Sequence, residues 1–402
     1  MEWVFWALAL IVAYAYVGYG ILLALVVRVR RSWSRPAAPR PIEDIPDAWW
    51  PPVTLLVAAY NEEAEIPAKL ANCHALDYPA DRLELLFVAD GSTDGTRELL
   101  ERDPAARVAF QPERRGKIAA LNRAVPLTSG QVLVFSDANS EYNPQALKYL
   151  ARHFADPKVG CVAGEKRIKA VESAAGQGEG LYWRYESALK RLDSELVSAV
   201  GAAGEIFALR RELYEAPQTD MLIEDFVLSL RVAMRGYRIA YEPQAVSFEA
   251  PSASVAEEFK RRVRICAGGW QAIGRLEGLW NPFRHGRLAW AYVSHRVLRW
   301  TIVPLALPVV FALNVLLAAT VHGWLYPTLA WAQVLLYGAS LVGWWSERRG
   351  RRWRLLFVPY YLVMLNVAAL AGLWRIARGR QSVAWVRARR ARALYSHQPD
   401  NL

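Results

Sequence analysis

From Trp3 to Val27 the chain carries no charged residue. Roughly 20 apolar residues in a helix cross the hydrocarbon core of a bilayer, so a run this long fixes the environment before it fixes a fold. Arg28, Arg30, Arg31 and Arg35 follow at once. A cleaved secretion signal has a charged start and a short apolar core. This run has neither. It reads as a retained anchor with its N-terminus outside and the residues after it in the cytoplasm. Three more uncharged runs lie towards the other end: Trp300 to His322, Leu325 to Trp345 and Leu355 to Trp374. The positive-inside tendency asks that Arg348 to Arg354 and Arg375 to Arg392 both be cytoplasmic. Three crossings from a cytoplasmic start cannot satisfy both. Either Leu355 to Trp374, with Pro359 near its start, is re-entrant, or the charge rule fails once.

The 402 residues are 54% hydrophobic with 17 Trp, rich for a soluble protein, and the apolar residues gather at the two ends. Nearly all of the net charge of +11 falls between Glu347 and Leu402, where 12 Arg and no Lys face two acids. Arginines flanking apolar spans mark a cytoplasmic membrane face. No nucleic-acid-binding motif accompanies them, so nucleic acid is not an expected partner. The few charges inside the spans argue against an ion-coupled transporter. Cys73, Cys161 and Cys266 lack metal-site spacing and read as reduced thiols of a cytosolic domain. The chain divides into an anchor (1–28), a basic, proline-rich linker (29–52), a soluble domain (53–285), an interfacial amphipathic helix (286–299), C-terminal spans (300–374) and a basic cytosolic tail (375–402). Trp49 and Trp50 of the linker are expected along the membrane interface.

The soluble domain alternates apolar strands with helices. Val53 to Ala59 is a strand leading into Tyr60-Asn61-Glu62-Glu63 and a helix to about Asn72. Leu83 to Ala89 is a second strand, ending in Asp90-Gly91-Ser92-Thr93-Asp94-Gly95-Thr96, good helix-entry chemistry. Val108 to Phe110 is a third, and Arg114-Arg115-Gly116-Lys117 opens the next helix. Val132 to Phe135 is a buried parallel strand ending in Asp137-Ala138-Asn139. This β-α-β-α-β-α-β order predicts an α/β fold with a parallel-rich central sheet and helices on both faces. Ligands of such sheets bind at the carboxyl ends of strands. Asp137 and Asn139, two residues apart, place two hard oxygen donors on one side there, a pair suited to Mg2+ or Mn2+ carrying a diphosphate. A strand end followed by a helix-capping residue reads equally well. Further on, Val159 to Gly164 reads as a strand, Gly176 to Gly180 as a flexible loop and Leu181 to Val200 as a long helix. Ala202 to Arg211 reads as a glycine-bearing turn and strand, Ile223 to Arg235 as a helix ended by Gly236, and Val255 to Gly268 as a very basic helix.

Taken in order, these residues resemble the inverting family-2 glycosyltransferases of the GT-A fold, and within them the membrane-bound, processive-type group of cellulose, hyaluronan and poly-N-acetylglucosamine synthases. The motifs run from Val53 to about Gly274, and the flanking spans match by architecture. The resemblance implies a Rossmann-like cytosolic domain at the plasma (inner) membrane. It would transfer sugar from a UDP-sugar to a glycan or lipid acceptor with inversion, with accessory export subunits as further partners. Ala59, Tyr60 and Glu62 would line the nucleotide pocket, Asp90 would accept from the base and Lys117 would lie near the nucleotide. Asp137 with Asn139 would hold Mg2+ or Mn2+ against the diphosphate. The family commonly has two aspartates there, so Asn139 lowers the site's charge by one. Glu224-Asp225 falls on the catalytic motif, with Ile223 where Thr is usual and Asp225 as the base that deprotonates the acceptor hydroxyl. Arg264 would fork onto the diphosphate. Arg261 and Ile265 stand where Gln and Trp are usual, which removes a stacking surface for an acceptor sugar. Trp270 is the candidate substitute, and Gly204-Glu205 falls on the acceptor-binding turn. Gln381 to Arg387 resembles the family's Trp-and-Arg tail and is expected near the mouth of the site. Helix capping, a first-turn acid pair and a solvated charge run account for the same residues without catalysis. Two other functions compete: transfer of one sugar to a lipid carrier, and a silent nucleotide-binding scaffold.

Overall fold

The computed structural model describes residues 1–33, 39–169, 174–349 and 353–379; the segment 381–387 lies outside them. The N-terminal apolar run is one long helix made of α1 (Glu2–Ala13), a π-helical turn (Tyr14–Gly18) and α2 (Tyr19–Trp33). In its second half Tyr19, Leu23 and Val27 recur every fourth residue and are buried against Leu189 and Leu196 of the soluble domain. Arg31 pairs with Glu195 at 2.5 Å. The first half packs elsewhere, with Phe5 against Val310, Leu317 and Tyr326.

The soluble domain opens with β1 (Val53–Ala59), α3 (Ile66–His74), β2 (Leu83–Asp90), α4 (Thr96–Glu101), β3 (Ala106–Gln111), α5 (Lys117–Ala124) and β4 (Val132–Asp137). These strands pair in parallel in the order β3-β2-β1-β4. The chain leaves β1 towards β2 and β3, then returns to β1's other edge with β4. That reversal opens a crevice at the strands' carboxyl ends, where Ala59, Asp90 and Asp137 sit. Alternation along each strand feeds two cores. Leu55, Val57, Phe87 and Val134 face one layer, and Leu56, Leu86, Leu133 and Phe135 face the other. Trp50, expected along the membrane, is only 1% exposed and packs under Tyr78 in the first of these cores. Its place three residues before β1 makes it a plug for the end of the sheet.

The second half adds β5 (Glu141–Tyr142), α6 (Ala146–Ala151), β6 (Val159–Ile168), α7 (Ala174–Leu196), β7 (Phe207–Arg210), α8 (Glu224–Met234), β8 (Arg238–Glu249) and α9 (Val255–Arg275). Strand β7 runs antiparallel between β4 and β6, β8 lies parallel to β6, and β5 closes the edge, giving eight strands in one sheet. Strand β8 is invisible in the sequence because Pro243 and Gln244 interrupt it. The register jumps there from Gly164↔Glu242 to Glu165↔Val246, a bulge that takes up a residue with no N–H. The glycine-rich stretch expected as a loop is the first turns of α7. Each glycine costs about 1 kcal/mol in a helix, an amount that packing further along the same helix, at Leu189 and Leu196, offsets.

The chain continues through α10 (Pro282–His285), α11 (Arg287–Tyr292), a π-helical turn (Val293–Val297) and α12 (Leu298–Trp300). The segment expected as an interfacial helix has Leu288, Tyr292, Ser294 and His295 buried against protein. Its polar groups find partners on the N-terminal helix and α7. Trp290 donates to the Tyr14 hydroxyl (2.9 Å), Tyr14 and Ser294 hydroxyls meet at 2.8 Å, and His295 Nδ1 lies 2.7 Å from Asp193. Then come α13 (Ile302–Thr320), α14 (Leu325–Arg348) and α15 (Arg354–Ala377). With the N-terminal helix, they are four helices long and apolar enough to cross a membrane. Helix α15 is continuous through Pro359 and lies lengthwise along α9 of the soluble domain: Tyr361 meets Arg262, and a Cβ on Gly372 would come within 2.7 Å of the Ala267 amide.

Candidate active site

The two loops after β1 and β2 are laced together. Asn61, with φ at 51°, accepts from the Thr93 amide (2.8 Å), and the Glu62 amide donates to the Thr96 hydroxyl (2.8 Å). Asp94 accepts from the Thr96 and Glu63 amides, which fixes the start of α4. The Arg114 guanidinium lies 3.7 Å from the Tyr60 ring centre, a cation–π contact that spans the crevice mouth. Ala59 is buried at the end of β1. Asp90 is 4% exposed, and one of its oxygens accepts from the Arg115 (3.0 Å) and Gly116 (2.7 Å) amides. Gly91 allows this turn: its φ is +69°, and a Cβ there would sit 2.6 Å from the Arg114 nitrogen.

That turn delivers Lys117 to the centre of the cleft. Its ammonium bridges Asp137 (2.8 Å) and Glu224 (3.0 Å). Burial alone would lower the Lys117 pKa, but the Asp137 and Glu224 carboxylates outweigh it and hold the ammonium well above its ordinary value. Asp137 goes the other way. Burial raises it, Lys117 opposes, and the Glu249 and Glu205 charges add to the rise. Glu224 is held below the ordinary range: Lys117 and its place in the first turn of α8 overcome burial. Arg264 of α9 feels Glu224, Asp137 and Asp225, which oppose the lowering of its pKa by burial. The β4 end is braced from beneath by Lys69, which donates to Ser136 Oγ and the Ser140 carbonyl, each at 2.7 Å.

Asp225 follows Glu224 in the first turn of α8 and faces the backbone of Gly204, where a Cβ would lie 3.2 Å from Asp225 Oδ2. Burial first, and the Glu224 charge second, push its carboxyl up to about 7. Two adjacent carboxyls are thus driven apart, one held as an anion and one poised near neutrality, a pattern that suits proton transfer. Glu205 is bound by Lys166, which also pairs with Glu249 at 2.6 Å; Lys166 keeps Glu205 well below the carboxylate range despite its burial.

Lys117, Asp137, Glu224, Asp225 and Arg264 therefore lie within electrostatic reach of one another, and Asp90 fixes the turn that carries Lys117 to them. Beside them, a cavity of about 170 Å3 has Asp225 and Glu205 in its wall. Ile265 lines it, at the position where the resemblance expects Trp, and the aromatic wall comes from Trp183 and Trp300. Trp270 is not among the lining residues. Trp183, Glu186, Lys190, Arg296 and Arg299 also line it and carry no motif. One trace existed in the sequence: Glu186, Lys190 and Asp193 recur at helical spacing on α7, a charged stripe on a helix that also needs an apolar face.

Among the described residues no three His, Cys, Asp or Glu side chains are grouped to hold a metal alone. The donor set fits a divalent cation that arrives with its substrate: one half-buried carboxylate, Asp137, near the Glu249 and Glu205 charges, with the Asn139 amide two residues along the chain and diphosphate oxygens for the rest.

A sequence model described as Glycosyl transferase family 2 matches residues 54–216. Poly-beta-1,6-N-acetyl-D-glucosamine synthase of Staphylococcus aureus is 32% identical over 232 residues, 56% of this chain and 56% of that protein. Its Staphylococcus epidermidis counterpart is 27% identical over 246 residues, 59% of this chain and 58% of that one. The chain thus spans a little over half the length of these curated relatives. A mannosyltransferase from Pyrobaculum calidifontis, solved with GDP-Man and Mn2+, superposes with a TM-score of 0.68 at 26% identity, covering 93% of this chain and 99% of its own. Over residues 54–216 the chain is thus similar to glycosyl transferase family 2, and its fold is a GT-A-type sheet between an N-terminal apolar helix and three C-terminal ones.

Proposed function

We propose that the protein is a membrane glycosyltransferase that moves a sugar from a UDP-sugar to the hydroxyl of a glycan or lipid-borne acceptor with inversion. The observation that carries this reading is the split pair on α8. Asp225, near pKa 7, opens onto the lateral cavity, while Glu224 is tied to Asp137 through Lys117 on the strand-end side. Asp225 takes the acceptor proton as that oxygen attacks the anomeric carbon, and the bond from that carbon to the diphosphate oxygen breaks on the far side. A single base and one in-line displacement invert the centre. Lys117 and Arg264 face the charge that grows on the departing nucleoside diphosphate. Mg2+ or Mn2+, held by Asp137 with Asn139, would neutralise part of that charge. Tyr60, Glu62 and Asp90 belong to the loops that would hold the base and ribose. Glu205 and Gly204 shape the acceptor side.

The test is nucleotide release in detergent from a panel of UDP- and GDP-sugars, with and without Mn2+. Release from UDP-sugars, lost in Asp225→Asn while nucleotide still binds, is the expected result. Release from GDP-sugars alone would move the donor to the guanosine class. No release from any donor would sink the transferase reading and favour a silent scaffold.

We also propose that the catalytic domain is cytoplasmic. The packing of α15 along α9 favours the re-entrant alternative, in which α15 lies against the inner face and only the N-terminal helix, α13 and α14 cross. Both arginine clusters are then inside. Cysteines placed at 323 and 379 would be labelled from outside and inside respectively; labelling of 379 from outside would refute this arrangement.

A further inference from the structure

The cavity beside Asp225 contains a charge that the transfer chemistry does not use. Lys190 is 4% exposed and lines this cavity, yet among the described residues its ammonium makes no hydrogen bond and no ion pair. The ammonium lies 5.7 Å from the centre of the Trp183 ring. The carboxylates that act on it from further away are all committed elsewhere. Glu186 is shared by Arg296 (2.8 Å) and Arg299 (2.7 Å), Glu205 is bound by Lys166, and Glu165 accepts from the Ser187 and Tyr241 hydroxyls. A buried ammonium without a partner is costly. Burial, and then Arg296, draws its pKa below the ordinary value, as expected where a counter-charge is missing. Five cationic side chains other than histidine line this cavity against three carboxylates.

The far wall says where the missing anion comes from. Tyr16 of the N-terminal helix and Leu365, Asn366 and Ala369 of α15 close the cavity, with the Tyr16 hydroxyl donating to Asn366 at 2.8 Å. The N-terminal helix is long and apolar enough to cross a membrane, and α15, also apolar, lies against the inner face in the arrangement proposed above, so both border lipid. The space of about 170 Å3 is far above the roughly 10–15 Å3 that one water needs, so the cavity has room for a bound group of several heavy atoms.

We propose that this cavity is an acceptor subsite for a saccharide attached to a lipid phosphate, with the sugar hydroxyl at Asp225, the ring against Trp183 and the phosphate against Lys190. The inference rests on the transferase reading above and adds the acceptor class. In the transfer step the hydroxyl proton goes to Asp225, the new bond joins its oxygen to the donor's anomeric carbon, and the nucleoside diphosphate leaves; the lipid phosphate keeps its bonds.

The experiment compares three acceptors on the full-length enzyme with its best donor: a prenyl-phosphate-linked monosaccharide, the same sugar 1-phosphate without lipid, and a neutral oligosaccharide. The lipid-linked acceptor is expected to have a KM at least tenfold below the neutral one. Lys190→Met should raise that KM by tenfold or more, Lys190→Arg should restore most of it, and donor affinity by calorimetry should be retained in both. In the wild type, a sugar-free prenyl phosphate should compete with the acceptor, a measurement that needs no variant. Equal use of the neutral acceptor, an unchanged KM in Lys190→Met, or no competition by prenyl phosphate would overturn the proposal. Equal use of the lipid-free sugar phosphate would overturn its lipid half. If no nucleotide sugar is bound or turned over at all, it is the transferase reading that fails.

Discussion

Replacing Glu224 by Gln should move the acid limb of the pH–rate profile. In the wild type, Asp225 titrates near 7 because it is buried and because Glu224, its neighbour in the first turn of α8, is anionic. Two unit charges at roughly 6–7 Å and an effective dielectric of about 20 interact by about 2.5 kcal/mol, close to two pKa units. Lys117 cancels part of this, since it sits on Glu224 at 3.0 Å and also lowers Asp225. In Glu224→Gln the repulsion is gone and Lys117 is shared with one carboxylate fewer. Both changes favour ionised Asp225, so its pKa should fall by about one unit. The assay is kcat/KM for sugar transfer from pH 5 to 9, which reports the groups of the free enzyme. The wild-type value should rise tenfold per pH unit below about 7 and then level off; in the variant the bend should lie near 6, with a lower plateau. A bend that stays near 7, or moves upward, would refute the view that Glu224 sets the basicity of Asp225.

The same raised pKa has a stability sign. The folded state holds the Asp225 proton from about pH 4 to 7, where the unfolded chain has already lost it, so the penalty grows across that window and is complete above 7. Asp225→Asn should therefore be more thermostable than wild type at pH 8, by about 2–4 kcal/mol, and similar to it at pH 4, in melting scans of the detergent-solubilised protein. Asp137→Ala should abolish the Mn2+-dependent part of nucleotide binding by calorimetry, with a smaller effect on metal-free binding. Gly372→Val should destabilise the α9–α15 contact by about 1–3 kcal/mol, because even a Cβ there meets the Ala267 amide at 2.7 Å. Since α9 carries Arg264 and Ile265 into the site, activity should fall with it; unchanged melting and turnover would show the contact to be slack.

Motifs with a strand before them were legible because two requirements coincide in them. Asp90 and Asp137 end apolar runs, and a run of β-period residues followed by an acid predicts both a strand and what stands at its carboxyl end. Glu224-Asp225 opens an amphipathic helix, so its place in a first turn was readable as well. Strand β8 and the cavity wall were not. Pro243 and Gln244 break β8's pattern, and only pairing with β6 makes it a strand. Lys190, Arg296 and Arg299 lie more than a hundred residues apart at the extremes and come to one cavity only when α7 packs against the π-helical turn and α12. Trp50 read as a membrane aromatic for a related reason: the sequence records that an indole is apolar, not which apolar medium receives it.

Local periodicity, uncharged runs and the order of the strand-end acids belong to the sequence, because each depends on neighbours within about ten residues. They determined the α/β sheet, the apolar helices and the position of Asp225 in a first turn. Folding in three dimensions decided the basicity of that carboxyl, which depends on burial and on Lys117 arriving from another loop. It also decided the lie of α15 along α9 and the burial of the Lys190 ammonium, unpaired among the described residues, in the cavity beside Asp225. Electrostatic free energy in a low-dielectric interior depends on distances between groups far apart along the chain, and those distances exist only once the elements have packed.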